Sequence, residues 1–213
     1  MLQEQREQVV EYGKKLISTG LSTGTFGNLS VYNRAQNLIA ISPSGVDYFL
    51  TRPEDVVVLT LDGKVADGIR KPSSELDLHC TLYRCRPELS AVVHTHSPFA
   101  TLLSCRRRPI EAIHYLIAYA GGEVPCIPYY PFGTPALAEA ACAAMGNSRN
   151  ACLLGNHGLL AAGGSLPYAF DVAQQMEFLA QLTYHANLAG GAVPLTPEEL
   201  SAAVEAFSHY RSE

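Results

Sequence analysis

Leu89-Ser90-Ala91-Val92-Val93-His94-Thr95-His96-Ser97 is the stretch on which the reading of this 213-residue chain turns. Its apolar lead-in predicts a strand. Successive side chains of a strand point to opposite faces, so His94 and His96 project from one face and can bind one ion together. Two readings of such a pair are open. It can be half of a metal site, because imidazoles with a carboxylate, water or substrate complete a shell that suits zinc and other divalent transition metals. It can equally be two polar residues on the exposed face of an edge strand. Glu75 before the pair and His157 after it are the residues that would complete a shell.

The length allows one domain with a sizeable core, and 47% hydrophobic with 16% charged residues describes an ordinary globular chain. A formal charge of -5 offers no general attraction to nucleic acid. The basic run Arg106-Arg107-Arg108 is too narrow to track a phosphate backbone and reads as a solvated turn. Six scattered cysteines without a Cys-x-x-Cys pair read as small core residues in a reducing compartment, none of them a nucleophile. A charged N-terminus and the lack of an apolar run near 18 residues speak against a signal peptide and a membrane span, and point to the cytoplasm.

In chain order, Val9, Val10, Leu16 and Ile17 mark an amphipathic first helix that ends at Gly20. Gly24-Thr25-Phe26-Gly27-Asn28-Leu29-Ser30 is a loop entering a strand. It is not the strand, glycine loop, helix order of a dinucleotide site, but its free N–H groups can cradle an anion. Short strands at 38–42 and 56–61 follow, the second turning at Asp62-Gly63 into 64–66. Lys71-Pro72-Ser73-Ser74-Glu75 opens a helix with a serine as N-cap, which puts Glu75 in the first turn. His79, one turn on, reads as a partner of Glu75. Tyr115 is by residue type a core aromatic, with a proton donor as the other reading. Residues 135–145 and 167–188 read as helices. Ala151–Ala162 reads as strand, turn, strand, with His157 in an apolar setting that demands a polar partner. Thr196-Pro197-Glu198-Glu199 is a capping box for a last helix with Leu200, Val204 and Phe207 on one stripe. The pattern predicts one domain over 1–213, a sheet flanked by helices.

Six ordered motifs together resemble the class II aldolase/adducin-head family: Gly24–Ser30, Ser42-Pro43-Ser44-Gly45, Lys71–Glu75, Val93–His96, Ile113–Ile117 followed by Ala120-Gly121-Gly122, and Gly155–Leu159. The likeness is greatest to its L-fuculose-1-phosphate aldolase branch, which also holds 5-deoxyribulose-1-phosphate aldolases, and it covers almost the whole chain. It implies an α/β fold, three-layer α/β/α with a central mostly antiparallel sheet. It further implies a homotetramer with active sites at subunit interfaces and a small phosphorylated sugar as substrate. One divalent metal per subunit is implied, zinc with manganese or cobalt as alternatives, on His94, His96 and His157, with Glu75 as a fourth ligand that can leave to act as acid/base. Thr25, Gly27, Asn28, Ser44, Gly45, Ser73 and Ser74 match the family's phosphate positions. Tyr115 matches a catalytic tyrosine acting across the subunit boundary, and Tyr210 a tail tyrosine near the site.

The implied reaction is retro-aldol cleavage of a ketose 1-phosphate to dihydroxyacetone phosphate and a short aldehyde, with charge on the enediolate stabilised by the metal rather than by a Schiff-base lysine. Phe26 stands where the family has a smaller residue, which changes the shape beside the phosphate loop. A pentulose-5-phosphate 4-epimerase of the same superfamily is the alternative. That branch has an aspartate at the position of Glu75, so Glu75 favours cleavage. A methylthioribulose-1-phosphate dehydratase ranks behind it. A non-catalytic adducin-like head lacks the histidines that this chain has.

Overall fold

Apolar residues alternate along the strands of one sheet and give it a hydrophobic core on each face. A computed structural model describes residues 1–210, with side chains described as far as Phe207. The strands are β1 (Asn28–Asn33), β2 (Leu38–Ile41), β3 (Val57–Thr60), β4 (Val65–Asp67), β5 (Ala91–Thr95), β6 (Cys126–Ile127), β7 (Ala151–Leu154) and β8 (Gly158–Gly163). The helices are α1 (Gln3–Ser18), α2 (Leu76–Cys85), α3 (Pro98–Cys105), α4 (Pro135–Met145), α5 (Leu166–Leu188) and α6 (Pro197–Tyr210). The strand order is β4-β3-β2-β1-β5-β8-β7-β6, antiparallel throughout except for β6 with β7. The two-residue β6 was not foreseen from the sequence.

Val92, Leu160 and Ala162 face one core with Leu78 and Leu82 of α2 and Leu137 and Ala141 of α4. Ala91, Val93, Leu159 and Ala161 face the other with Val9 and Leu16 of α1, Leu103 of α3 and Met176 of α5. Helices therefore cover both faces, which is the expected three-layer α/β/α arrangement in a single domain. β5 lies between β1 and β8, with His94 opposite Asn28 on one side and Leu160 on the other. All five β5 residues are buried. The edge-strand reading of the His94/His96 pair is thereby overturned: a histidine placed here is enclosed on both sides and must find polar partners.

Several local expectations are corrected. α2 begins at Leu76 with Glu75 at its N-cap, not inside the first turn. The cause is the extended segment before it: Ser73 N–H donates to the Ser42 carbonyl (3.1 Å), Ser44 N–H donates to the Lys71 carbonyl (2.9 Å), and Pro43 pairs with Pro72. The capping box of α6 is present, with Thr196 N–H donating to Glu199 Oε2 and Glu199 N–H to Thr196 Oγ1. Its half-buried stripe runs through Leu200, Ala203 and Phe207, whereas Val204 is exposed, because α6 packs on only a narrow line. The cysteines are not all thiols. Cys85 and Cys142 form a disulfide joining α2 to α4, which pack side by side on one sheet face although 57 residues separate the two cysteines. Cys80 and Cys152 are buried as expected, and burial pushes their thiols up to about 11 and about 12, away from the nucleophilic thiolate. Among the described residues no helix is long and apolar enough to cross a membrane.

Because Leu82 is fully buried between α2 and the sheet, Leu82→Ala should lower unfolding free energy by about 2–5 kcal/mol in urea titration. A change within about 0.5 kcal/mol, the range of surface sites, would contradict this packing.

Candidate active site

His94 sits on the same sheet face as Val92, the face covered by α2. Its Nδ1 lies 2.9 Å from the Leu159 carbonyl, which only accepts, so Nδ1 carries the proton and Nε2 is left with a lone pair. That Nε2 lies 3.0 Å from His96 Nε2 and 3.3 Å from Glu75 Oε2. His157, from the turn between β7 and β8, brings its Nε2 to 3.3 Å from Glu75 Oε1. One ligand atom from each of His94, His96 and His157 lies within 4.8 Å of the others, so these three can hold a metal ion. The turn that presents His157 has Asn156 at φ 55°, and Arg107 Nε donates to its Oδ1 at 2.6 Å. The arginine run is otherwise the exposed turn that was expected.

The electrostatics demand a cation. Burial holds all three imidazoles below their ordinary value of 6.5, His157 at about 4, so they are neutral near pH 7. Burial pushes the Glu75 carboxyl up. In the acid range where Glu75 titrates, the charge of protonated His94 and His157 and the hydrogen bond from the Asn28 amide outweigh it, and Glu75 stays below the ordinary carboxylate range. A buried carboxylate therefore lies beside neutral imidazoles, with the lone pair of His94 Nε2 3.3 Å from its Oε2. Glu75 Oε1 accepts no hydrogen bond among the described residues, although it is buried. His94, His96 and His157 could hold a cation here, beside the Glu75 carboxylate.

Beside the histidines opens a cavity of about 460 Å³. Thr25, Gly27 and Asn28 line it from the loop before β1, Ser44 and Gly45 from the turn after β2, and Ser73 and Ser74 from the segment before α2. Every residue expected to hold phosphate is thus brought to one pocket with Glu75, His96 and His157. The backbone bonds between 42–44 and 71–73 lash two of these segments into one wall. Gly27, at φ 73°, is required because a Cβ there would stand 2.8 Å from the His94 carbonyl oxygen. Asn28 is more committed than expected: Nδ2 donates to Glu75 Oε2 (2.9 Å) and Oδ1 faces His79 Nε2 (2.6 Å). His79 is accordingly a partner of Asn28, not of Glu75 directly, because Asn28 of β1 stands between them.

Tyr129, Tyr130, Phe132 and Asn156 also line the cavity and were missed. The signal was available in Pro128-Tyr129-Tyr130-Pro131-Phe132-Gly133, whose Tyr129 and Phe132 remain 55% and 67% exposed in a rigid proline-rich loop. Phe26 joins them at the mouth, its ring 5.8 Å from that of His96. Of the two residue-type readings of Tyr115, the core aromatic is overturned: the side chain is 54% exposed, outside this cavity, stacked on Phe207 at 6.0 Å. The side chain of Tyr210 lies outside the described residues.

Fold and site together define an enzyme with a histidine and carboxylate centre at the middle of an antiparallel sheet. The chain belongs to the Class II Aldolase and Adducin N-terminal domain family, whose model matches residues 7–184, and it is a class II aldolase, a lyase. A 5-deoxy-D-ribulose 1-phosphate aldolase of Bacillus thuringiensis is 49% identical over 210 residues, covering 99% of this chain and 98% of that one. An L-fuculose phosphate aldolase of Escherichia coli is 39% identical, over 95% of this chain and 94% of its own. Among solved structures, an L-fuculose 1-phosphate aldolase superposes with a TM-score of 0.95 at 40% identity, covering 98% of each chain. Class II aldolases are metal-dependent, and the three histidines described above could bind a metal.

The lowered imidazoles set a pH dependence. Unfolding returns them to about 6.5, so below that pH the unfolded chain binds more protons than the folded one, and stability falls until the folded imidazoles titrate, near 4 for His157. Glu75, lowered on folding, acts in the same direction at still lower pH. The chelator-treated protein should show a melting temperature that declines steadily from pH 7 to pH 5, and a flat profile would contradict buried neutral imidazoles.

Proposed function

We propose that this chain cleaves a ketose 1-phosphate of the L-fuculose or 5-deoxyribulose type into dihydroxyacetone phosphate and a short aldehyde. The observation that carries the reading is the meeting of three imidazole nitrogens and a carboxylate beside a cavity lined by uncharged threonine, serine, asparagine and glycine residues. The relatives named for these two activities support the substrate class. His94, His96, His157 and Glu75 would hold one divalent ion per subunit, zinc first and manganese or cobalt as alternatives. When bound, the ion supplies Lewis-acid stabilisation of negative charge on substrate oxygen.

The chain's own residues do the rest. Thr25, Gly27, Asn28, Ser44, Gly45, Ser73 and Ser74 hold the phosphate, which anchors the substrate away from the reacting bond and fixes its orientation. Backbone N–H groups beside hydroxyls are suited to this, because an anion is held without a cation that would compete for Glu75. Glu75 moves the proton at the carbon that becomes C3 of dihydroxyacetone phosphate. Tyr115 of a second copy exchanges a proton with the departing aldehyde oxygen. Its exposure with Leu116, Tyr119 and Phe207 on an apolar patch outside its own pocket supports that placement. Tyr210 belongs near the same side. The unit that acts is the whole chain, 1–213, in a homotetramer with sites at subunit boundaries. A reducing cytoplasm is kept as its compartment on four free thiols, with the Cys85–Cys142 disulfide as the observation against it.

The test is a coupled assay for dihydroxyacetone phosphate on L-fuculose 1-phosphate, 5-deoxyribulose 1-phosphate and L-ribulose 5-phosphate, before and after chelation and metal return. Metal-dependent release from a 1-phosphate is expected. Inversion at C4 of the 5-phosphate with no release from either 1-phosphate would transfer the site to an epimerase. His94→Ala and His157→Ala should lose metal and activity together. Glu75→Gln should keep most of its metal with kcat down at least about a hundredfold. A fully active Glu75→Gln protein would sink the mechanism.

A further inference from the structure

We propose that His79 is a positioning residue that fixes the orientation of the Asn28 amide and, through it, of Glu75. The inference rests on the proposed role of Glu75. His79 is fully buried on α2, one turn after Glu75, and the mechanism makes no use of it. It belongs to a closed chain of hydrogen bonds under the floor of the cavity. Asn28 Nδ2 is 2.9 Å from Glu75 Oε2. Asn28 Oδ1 is 2.6 Å from His79 Nε2. His79 Nδ1 is 2.6 Å from Ser30 Oγ, and Ser30 Oγ is 2.7 Å from the Tyr83 hydroxyl.

Chemistry gives this chain one direction. The Glu75 carboxylate only accepts, so Asn28 must turn its NH2 toward it and its oxygen toward His79. That oxygen only accepts, so His79 Nε2 carries the proton. Burial forces the ring to stay neutral, with its pKa pushed down to about 3, so Nδ1 holds a lone pair and takes the Ser30 O–H. Ser30 Oγ in turn accepts from Tyr83, whose hydroxyl burial keeps protonated. Every donor then finds an acceptor, with the carboxylate at the end. The opposite amide orientation would set Asn28 Oδ1 against Glu75 and Asn28 NH2 against the His79 N–H, two repulsions between buried groups. His79 thereby selects the amide orientation that holds Glu75 Oε2 and leaves Oε1 facing His157.

The direct test needs no activity. Long-range 1H–15N spectra of 15N-histidine-labelled protein should show one imidazole, assigned through its loss in His79→Gln, as the neutral Nε2–H tautomer from pH 5 to 8. An Nδ1–H tautomer or an imidazolium would overturn the relay. In metal-loaded protein, His79→Leu should lower kcat at least about tenfold with KM and metal content unchanged. His79→Gln, whose amide nitrogen can take the place of Nε2 as a donor, should recover most of that loss. Wild-type kcat in His79→Leu, or equal losses in the two variants, would reduce His79 to packing. Failure of the wild-type protein to cleave any ketose 1-phosphate would count against the proposed reaction alone and leave the tautomer as the test of the relay.

Discussion

A carboxylate and three imidazoles, buried or half-buried within a few ångströms of one another, form a cluster suited to a cation. Isolated charge in a protein interior is costly, and chains ordinarily remove it by moving a pKa or supplying a partner. Here the imidazoles are held neutral by burial, the Leu159 carbonyl fixes the proton of His94 on the outward nitrogen, and Glu75 stays ionised against its own desolvation. The surrounding structure maintains that imbalance. β5 is flanked by paired strands on both sides, so His94 cannot turn to solvent. Glu75 is anchored through one oxygen, and the other points at His157 without a hydrogen bond.

The position of Glu75 depends on backbone contacts far from it in sequence. Two polypeptide segments, the turn after β2 and the extended run before α2, bond to each other and delay the start of the helix until Leu76. That delay puts Glu75 at the N-cap, where the carboxylate can leave the helix axis and meet the imidazoles, while Ser73 and Ser74 line the cavity. The serine-bearing wall and Glu75 therefore depend on one local feature, and they line the same cavity as His96 and His157.

Much of this was legible in the sequence because it rests on short-range rules. The two-residue spacing of His94 and His96 requires only a strand, and the apolar residues before them supply one. The glycines of 24–30 and 42–45 mark tight loops by residue type, and both loops line the cavity. Other features were not legible, since they depend on which distant elements become neighbours. Asn28 reads as a loop amide until β1 is placed beside α2, where it separates Glu75 from His79. Cys85 and Cys142 have no motif spacing and meet only because α2 and α4 share a sheet face. Tyr115 looked like a core aromatic, for its apolar neighbours Leu116 and Ile117 suit a buried segment, but the short 3-10 turn it begins leaves its ring on the surface. Tyr129 and Phe132 carried no periodic pattern, and only the cavity gives their loop a meaning.

The measurement that bears most directly on this account is X-ray absorption on the protein loaded with one equivalent of zinc after chelator treatment, paired with a calorimetric zinc titration of wild type and His157→Ala. The account predicts one zinc per chain in a shell of three imidazole nitrogens and carboxylate or water oxygen, and a large loss of zinc affinity in the variant. A shell containing sulfur, or equal zinc binding by the two proteins, would contradict the claim that the buried imidazoles of this sheet form the metal site.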